Sequence, residues 1–236
     1  MRSPRSFDRL ARIYRVLEYG AFGRDLERAR FGFLARLADC RDILVLGEGD
    51  GRCLARLVRH APRARIDCFD ISPAMIARAE RRLPADARAR VTFHCADLLT
   101  AALPDRRYDA IVTLFFLDCF TDAQTAGLVR HIAARARPGA RWLWADFTLP
   151  PRGFARLRAR AWVAVLYFFF RWQTALPARA LPPAEALILA AGFRREDERT
   201  FQWGLVRAVL FNQPGSATLS SCNRQSLACN TAARPR

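Results

Sequence analysis

An apolar run, Ile43-Leu44-Val45-Leu46, leads without a break into Gly47-Glu48-Gly49-Asp50-Gly51, and helical spacing follows with Leu54, Leu57 and Val58. A strand that turns into a helix through three alternate glycines leaves few folds open. The turn is too tight for side chains, and bare backbone at its apex lets a ligand approach closely. Four more short apolar runs repeat the theme. They are 66–69, 91–95, 110–115 and 142–145, and Asp70 and Asp146 directly end the first and last of these. Helical segments lie between them, including Met75, Ile76 and Ala79 after Ser72-Pro73. That dipeptide reads as an N-cap with proline in the first helical position. A further helix is expected over Leu128–Ala136, before Pro138-Gly139. Strands without polar alternation, each followed by a helix, predict a parallel sheet covered on both faces.

Past Pro150-Pro151 the pattern changes. Residues 152–176 form an Arg-studded, strongly apolar stretch, and Pro182-Pro183 opens a helix that ends at Gly192. Phe193–Phe201 and Trp203–Phe211 then read as two β runs joined only by Gln202, a closing antiparallel hairpin with an unusually tight joint. The expected architecture is α/β: a Rossmann-like, mostly parallel seven-stranded sheet with helices on both faces and a C-terminal antiparallel hairpin. The expected organisation is an N-terminal helical cap over 1–41, a ligand-binding domain over 42–211, and a mobile polar tail over 212–236.

Composition narrows the partners less than its extremes imply. The chain has 236 residues, is 52% hydrophobic, and carries 39 basic against 22 acidic residues for a net charge of +17. Every basic residue is arginine, which reads as a coding bias rather than as a nucleic-acid footprint. Residues 42–150 carry only +3, whereas 1–41 carry +5 and 151–236 carry +9. Seven cysteines show no C-x-x-C pair, and five of them lie in apolar stretches where a thiol acts as a small hydrophobe. The basic start lacks an apolar signal core, and the longest apolar run, Ala161–Phe170, is half a membrane span. A reduced, cytoplasmic protein is the expectation. Three scattered histidines, His60, His94 and His131, have no ligand spacing, so no metal site is expected.

Two acids complete the glycine-loop pattern. Asp70 ends the second strand nineteen residues after Gly51, where a carboxylate can take two ribose hydroxyls. Asp97 ends the third strand and suits an adenine edge. A dinucleotide fingerprint would want a small sixth residue, but Arg52 stands there and would crowd the helix–strand contact. Glu48 and Asp50 inside the loop would also repel a pyrophosphate. A cationic or zwitterionic ligand suits such a loop better.

At this point residues 40–148 resemble the class I S-adenosylmethionine-dependent methyltransferases, with the motifs in order. The resemblance implies that Gly47, Gly49 and Gly51 form the cofactor loop and that Asp70 holds the ribose. It implies Ile71 and Met75 near the adenine, and Ala96, Asp97 and Leu98 by its amino group. It also places Phe115 and Phe116 along the methyl-donor channel. The family often has an acid two residues before the first glycine; here Val45 stands there, and Glu48 is the residue that could substitute. The whole-chain pattern looks closest to the small-molecule branch, which includes quinone-biosynthesis methyltransferases.

The expected activity is therefore methyl transfer from S-adenosyl-L-methionine to a small, apolar or aromatic acceptor. Alignment of donor and acceptor can supply much of the rate, so a base is needed only if the acceptor must lose a proton. Asp118 is one candidate, and it reads equally as a helix-capping acid. Tyr14, in the stretch with Leu17, Tyr19 and Phe22, is a candidate cover over the cofactor. The stretch Gly153–Leu176 reads either as a buried helix on the sheet or as an apolar lid whose Arg flanks face an anionic membrane surface. An RNA- or DNA-directed methyltransferase is the alternative. The segment after the fourth strand lacks the N/D-P-P-Y that holds a flipped base, and no Pro-Cys nucleophile occurs. An aminopropyltransferase or a non-catalytic cofactor-binding module on the same fold would share the glycine loop.

Overall fold

The alternation of large apolar side chains along each run puts one set of residues on each side of a sheet, and both sides find cover. The computed structural model describes residues 23–174 and 180–215, with only the backbone described over 165–174. The strands are β1 (Asp42–Leu46), β2 (Arg65–Asp70), β3 (Val91–Cys95), β4 (Tyr108–Leu114), β5 (Ala136–Phe147), β6 (Arg194–Phe201) and β7 (Val206–Asn212). They form one sheet in the order β3-β2-β1-β4-β5-β7-β6. The first five strands run parallel, and β7 is antiparallel to both β5 and β6.

The helices are α1 (Asp25–Phe31), α2 (Arg52–His60), α3 (Pro73–Arg82), α4 (Asp122–Ala133), α5 (Gly153–Thr174) and α6 (Ala184–Ala190). Ile43 and Val45 of β1, Val112 of β4 and Leu143 of β5 face one core with α1, α2 and α3. Leu44 and Leu46, Ile111, Trp142 and Trp144 face a second core with α4 and α6. Leu54, Leu57 and Val58 of α2 are all buried, as their spacing requires. Full burial of each such side chain contributes about 1.5–3 kcal/mol, so the two cores supply the main cohesion. β6, the exposed edge, reads Arg-Arg-Glu-Asp-Glu-Arg, and this charge discourages pairing with another chain.

Local expectations hold where a specific side chain enforces them. The Ser72 hydroxyl accepts the Met75 N–H, with Pro73 at the first position of α3. Elsewhere packing moves the boundaries. The helix expected to reach residue 136 stops at Ala133, because Ala136 already pairs with Tyr108 and β5 runs through Pro138-Gly139. The two β runs near the C-terminus are not joined by Gln202 alone: Gln202–Gly204 form a tight turn, and Trp203 lies in that turn rather than in a strand. Phe193 precedes its strand and packs edge-on against Trp142 at 5.2 Å. Asn212 completes β7 instead of opening a tail, and Gln213 still exchanges backbone hydrogen bonds with Gly139 and Ala140.

The expected N-terminal cap lies partly outside the described residues, including Tyr14, Leu17, Tyr19 and Phe22. What is described of it belongs to the main core: Leu26, Ala29, Phe33, Leu34 and Leu37 are all buried against the first face of the sheet. The apolar stretch after β5 is a helix that packs on the first core through Ala159, Trp162 and Val163, while its first turns stand open. Phe154 is 74% exposed and Leu157 67% exposed, while Ala159 is buried. Among the described residues, no helix is long and apolar enough to cross a membrane.

Candidate functional site

All five parallel strands end at one edge of the sheet, and the glycine loop, Asp70, the segment after β4 and the end of β5 meet there. Gly47, Gly49 and Gly51 all have positive φ, at 68°, 70° and 87°. Two of them are forced by neighbours. A Cβ on Gly47 would lie 2.3 Å from the Phe116 ring, and one on Gly51 would lie 2.4 Å from the Ala79 backbone. The close contact that lets the loop sit down is thus between Gly51 and α3. Gly49 differs, since a Cβ there would meet nothing within 4 Å. The apex of the loop faces open space.

Asp70 and the loop are built as one unit. The Asp70 carboxylate accepts the Gly49 N–H at 2.9 Å on one oxygen and the Ser72 N–H at 2.8 Å on the other. Burial raises its pKa, and these two N–H groups oppose the rise. Each carboxylate oxygen keeps lone-pair capacity for a hydroxyl ligand. Ile71, immediately beyond, is 67% exposed, and Met75 lies on the first turn of α3. At the end of β3, Asp97 accepts the Leu99 N–H at 2.9 Å, and Leu98 is buried beside Ala96. Gly47, Gly49, Gly51, Asp70, Ile71, Met75, Ala96, Asp97 and Leu98 are therefore brought to one edge of the sheet.

Two expectations about the loop are corrected. Arg52 does not crowd the helix–strand contact: its side chain turns aside to pair with Asp50 at 3.2 Å and Glu27 of α1 at 3.5 Å. Asp50 also pairs with Arg82 at 3.3 Å, so its charge is compensated and is a weak argument against a phosphate. Glu48 is the acid that remains distinctive. It accepts the Leu54 N–H at 2.9 Å and so caps α2, whose N-cap, Gly51, has no side chain to do it. Burial pushes its pKa up to about 8, with the Leu54 N–H opposing the rise. Val45 is packed in the core. No carboxylate is available from that position.

The segment after β4 is held in a costly shape. Phe115 has φ 54°, a conformation that costs about 1–3 kcal/mol for such a residue. Its N–H bonds to the Ala145 carbonyl at 2.6 Å, and the next N–H, of Phe116, bonds to the Asp146 carboxylate at 3.1 Å. Phe115 packs edge-on to Phe147 at 5.3 Å, and the Arg30 guanidinium lies 4.8 Å from its centroid. Asp146 was legible only as a strand acid, yet it is buried, takes a second hydrogen bond from the Trp144 indole N–H, and anchors this segment. Burial pushes its pKa well up, and the Asp118 charge adds to that.

Asp118 sits in the 3-10 turn Leu117–Cys119. Its capping reading is overturned, because Thr121 and Gln124 form the capping box of α4. Burial raises the Asp118 pKa to about 6, and Arg30 opposes the rise. Arg30 of α1 also opposes the rise at Glu48, so one guanidinium serves the loop, Phe115 and Asp118 together. Its sequence context, an Arg among many on a short helix, carries no such signal. His94 is away from this constellation. It bonds to Asp67 at 2.8 Å and stacks on Phe69, in a network that Tyr108 and Arg106 complete. No metal-ligating cluster occurs among the described residues.

A parallel sheet with a reversed seventh strand and a glycine loop clasped by the acid of β2 is the fold of the class I, S-adenosylmethionine-dependent methyltransferases. Residues 43–139 match the family model for the methyltransferase domain. An uncharacterised methyltransferase of Mycobacterium bovis is 28% identical over 144 residues, spanning 60% of this chain and 70% of the relative. A malonyl-[acyl-carrier protein] O-methyltransferase of Halorhodospira halophila is 31% identical over 125 residues, spanning 53% of this chain and 40% of that one. The N-methyltransferase NodS of Bradyrhizobium japonicum, solved with S-adenosylhomocysteine, superimposes with a TM-score of 0.59 at 18% identity. The superposition covers 80% of this chain and 88% of that one. The likeness at that identity is one of fold.

Proposed function

We propose that this chain methylates a small apolar or aromatic acceptor, with the donor held at the glycine-loop edge. The observation that carries the reading is the single unit formed by Gly49 and Asp70, with open space over the loop apex. Asp70 would hold the ribose hydroxyls through its remaining lone pairs. Ile71, Met75 and Leu98 would line the adenine, and Asp97 would accept its amino group. Glu48, inside the loop, would suit the cationic end once ionised. When bound, S-adenosylmethionine would supply an electrophilic methyl group, with S-adenosylhomocysteine as the leaving group.

The chain's own part is alignment and exclusion of water. Phe115 and Phe116, fixed by Ala145 and Asp146, form an apolar wall beside the loop, and alignment of this kind can supply about 7–11 kcal/mol of the barrier. Where the acceptor must lose a proton, Asp118 takes it. Its buried neighbour Asp146 resists ionisation, which leaves Asp118 as the member of the pair that carries the charge. Isothermal titration with S-adenosylhomocysteine tests the cofactor site. Micromolar binding is expected, and no binding at millimolar ligand would overturn it.

A peripheral contact with an anionic surface has its own supporting observation. Phe154 and Leu157 are exposed beside the exposed Arg152, Arg156 and Arg160. Co-sedimentation with phosphatidylglycerol vesicles is the check: a protein that stays in the supernatant makes no such contact.

A further inference from the structure

Next to the glycine-loop edge, beyond Phe147, lies an open cleft of about 610 Å³ that the mechanism above does not use. Its walls are Leu149, Pro150 and Pro151 after β5, Phe201 to Gly204 at the β6–β7 turn, and Asp25 of α1. It lies on the same strand-end side as the loop, separated from it by packed side chains: Gly47 meets Phe116, Phe115 meets Phe147, and the Thr148 N–H bonds to the Leu205 carbonyl. A cleft of this size and lining suits a small organic molecule.

The turn that forms one wall is built to present an indole. Trp203 is 70% exposed, an unusual position for the largest apolar side chain. It stands there because Gln202 and Trp203 both adopt positive φ, at 51° and 56°, two successive non-glycine residues in the left-handed region. Such strain persists only where surroundings hold it, and it gathers at ligand clamps. The surroundings here are specific. The Gln202 carbonyl accepts from Arg158 at 2.6 Å, and the Gln202 amide donates to Asp25 at 2.6 Å. The Arg158 guanidinium also lies 4.5 Å from the Trp203 ring, and its Nε is buried with no hydrogen-bond partner among the described residues. Pro150 packs against Gly204, at 3.0 Å from where a Cβ would be, so the opposite wall is tied to the same turn.

We infer that Trp203 is the stacking platform for the methyl acceptor and that the acceptor is a planar aromatic ring system. The inference rests on the cofactor site proposed above and names the acceptor class for it. With the Arg158 guanidinium over one face of the indole and the side chain still 70% exposed, the other face gains most from a flat π-system, and the proline wall favours the same shape. Asp25 and Gln202, already bonded to each other at the rim, offer an acceptor and a donor to a ring hydroxyl.

The test uses the full chain saturated with S-adenosylhomocysteine, with 2-naphthol as probe and its saturated counterpart decahydro-2-naphthol as control. Ligand-observed NMR should show 2-naphthol binding to the wild type at least tenfold more tightly than decahydro-2-naphthol. Trp203→Ala should weaken 2-naphthol at least tenfold, and Trp203→Phe should retain it within about threefold. S-adenosylhomocysteine affinity should stay unchanged in both variants, which also reports that they fold. Equal binding of the two probes, or of 2-naphthol to wild type and Trp203→Ala, would overturn the platform. So would no naphthol binding while S-adenosylhomocysteine still binds. Failure of the wild type to bind S-adenosylhomocysteine would instead overturn the cofactor reading, and the acceptor assignment with it.

Discussion

Glu48 accepts the Leu54 N–H at 2.9 Å, so a residue inside the glycine loop serves as the cap of the helix that follows it. The loop and α2 therefore respond together to the charge on one carboxyl group. Burial holds that group near pKa 8 in the folded protein, against about 4.3 for an unfolded Glu. A raised acid pKa means the folded state prefers the proton. This contribution to stability is fully present below about pH 4 and is lost as pH rises towards 8. Glu48→Gln keeps an oxygen for the Leu54 N–H and removes the titration. Thermal melts without ligand should show the variant gaining on the wild type between pH 5 and 8, and equal pH slopes would contradict the assignment.

Asp70 bonds to Gly49 and Ser72 and is proposed to hold the ribose. Asp70→Ala should weaken S-adenosylhomocysteine by at least tenfold and cost some stability, because two N–H groups lose their acceptor. Asp70→Asn separates the two effects: one amide oxygen retains one N–H, while the second ligand-accepting oxygen is gone. Titration calorimetry with an unchanged affinity in both variants would move the ribose site elsewhere.

Gly49 and Gly51 should fail differently. A Cβ at Gly51 collides with the Ala79 backbone, so Gly51→Ala should cost about 3 kcal/mol and lower the melting temperature by roughly 5–12 °C. At Gly49 only the positive φ opposes a side chain, so Gly49→Ala should cost about 1 kcal/mol. Its methyl group would enter the open space over the loop, and S-adenosylhomocysteine affinity should fall at least tenfold. The reverse pattern would place the ligand away from the loop apex.

Asp118, with a pKa of about 6, predicts a rate that rises between pH 5 and 7 for an acceptor that must lose a proton. Asp118→Asn should lower kcat by about 10²–10⁴-fold, flatten that limb of the pH profile, and leave S-adenosylhomocysteine binding intact. A profile unchanged in the variant would remove Asp118 from proton transfer.

Much of this constellation was readable in the chain because it depends on local rules. A strand that ends in G-x-G-x-G can only turn sharply. Ser72-Pro73 caps and starts a helix whatever lies around it, and Asp70 ends its strand at the spacing a βαβ unit imposes. Other features escaped for a physical reason. Arg52 and Asp50 looked like obstacles until Arg82 and Glu27, from α3 and α1, became their partners. Asp118 looked like a cap, but Thr121, three positions on, caps α4 instead and forms the capping box with Gln124. Asp146 reads as the acid that ends the fifth apolar run, and nothing in its neighbourhood says that it will receive the Phe116 N–H from thirty residues away.

The sequence by itself determined the βα alternation, the glycine loop and the two strand-end acids, because hydrophobic period and turn chemistry act over a few residues; the class of cofactor came from the resemblance those motifs carry. Tertiary structure alone decided which charges are compensated, which acid stays protonated, where Arg30 reaches, and that Trp203 stands open at a strained turn. Those properties come from desolvation and from partners on distant elements. They exist only once the strand ends have been brought to one edge.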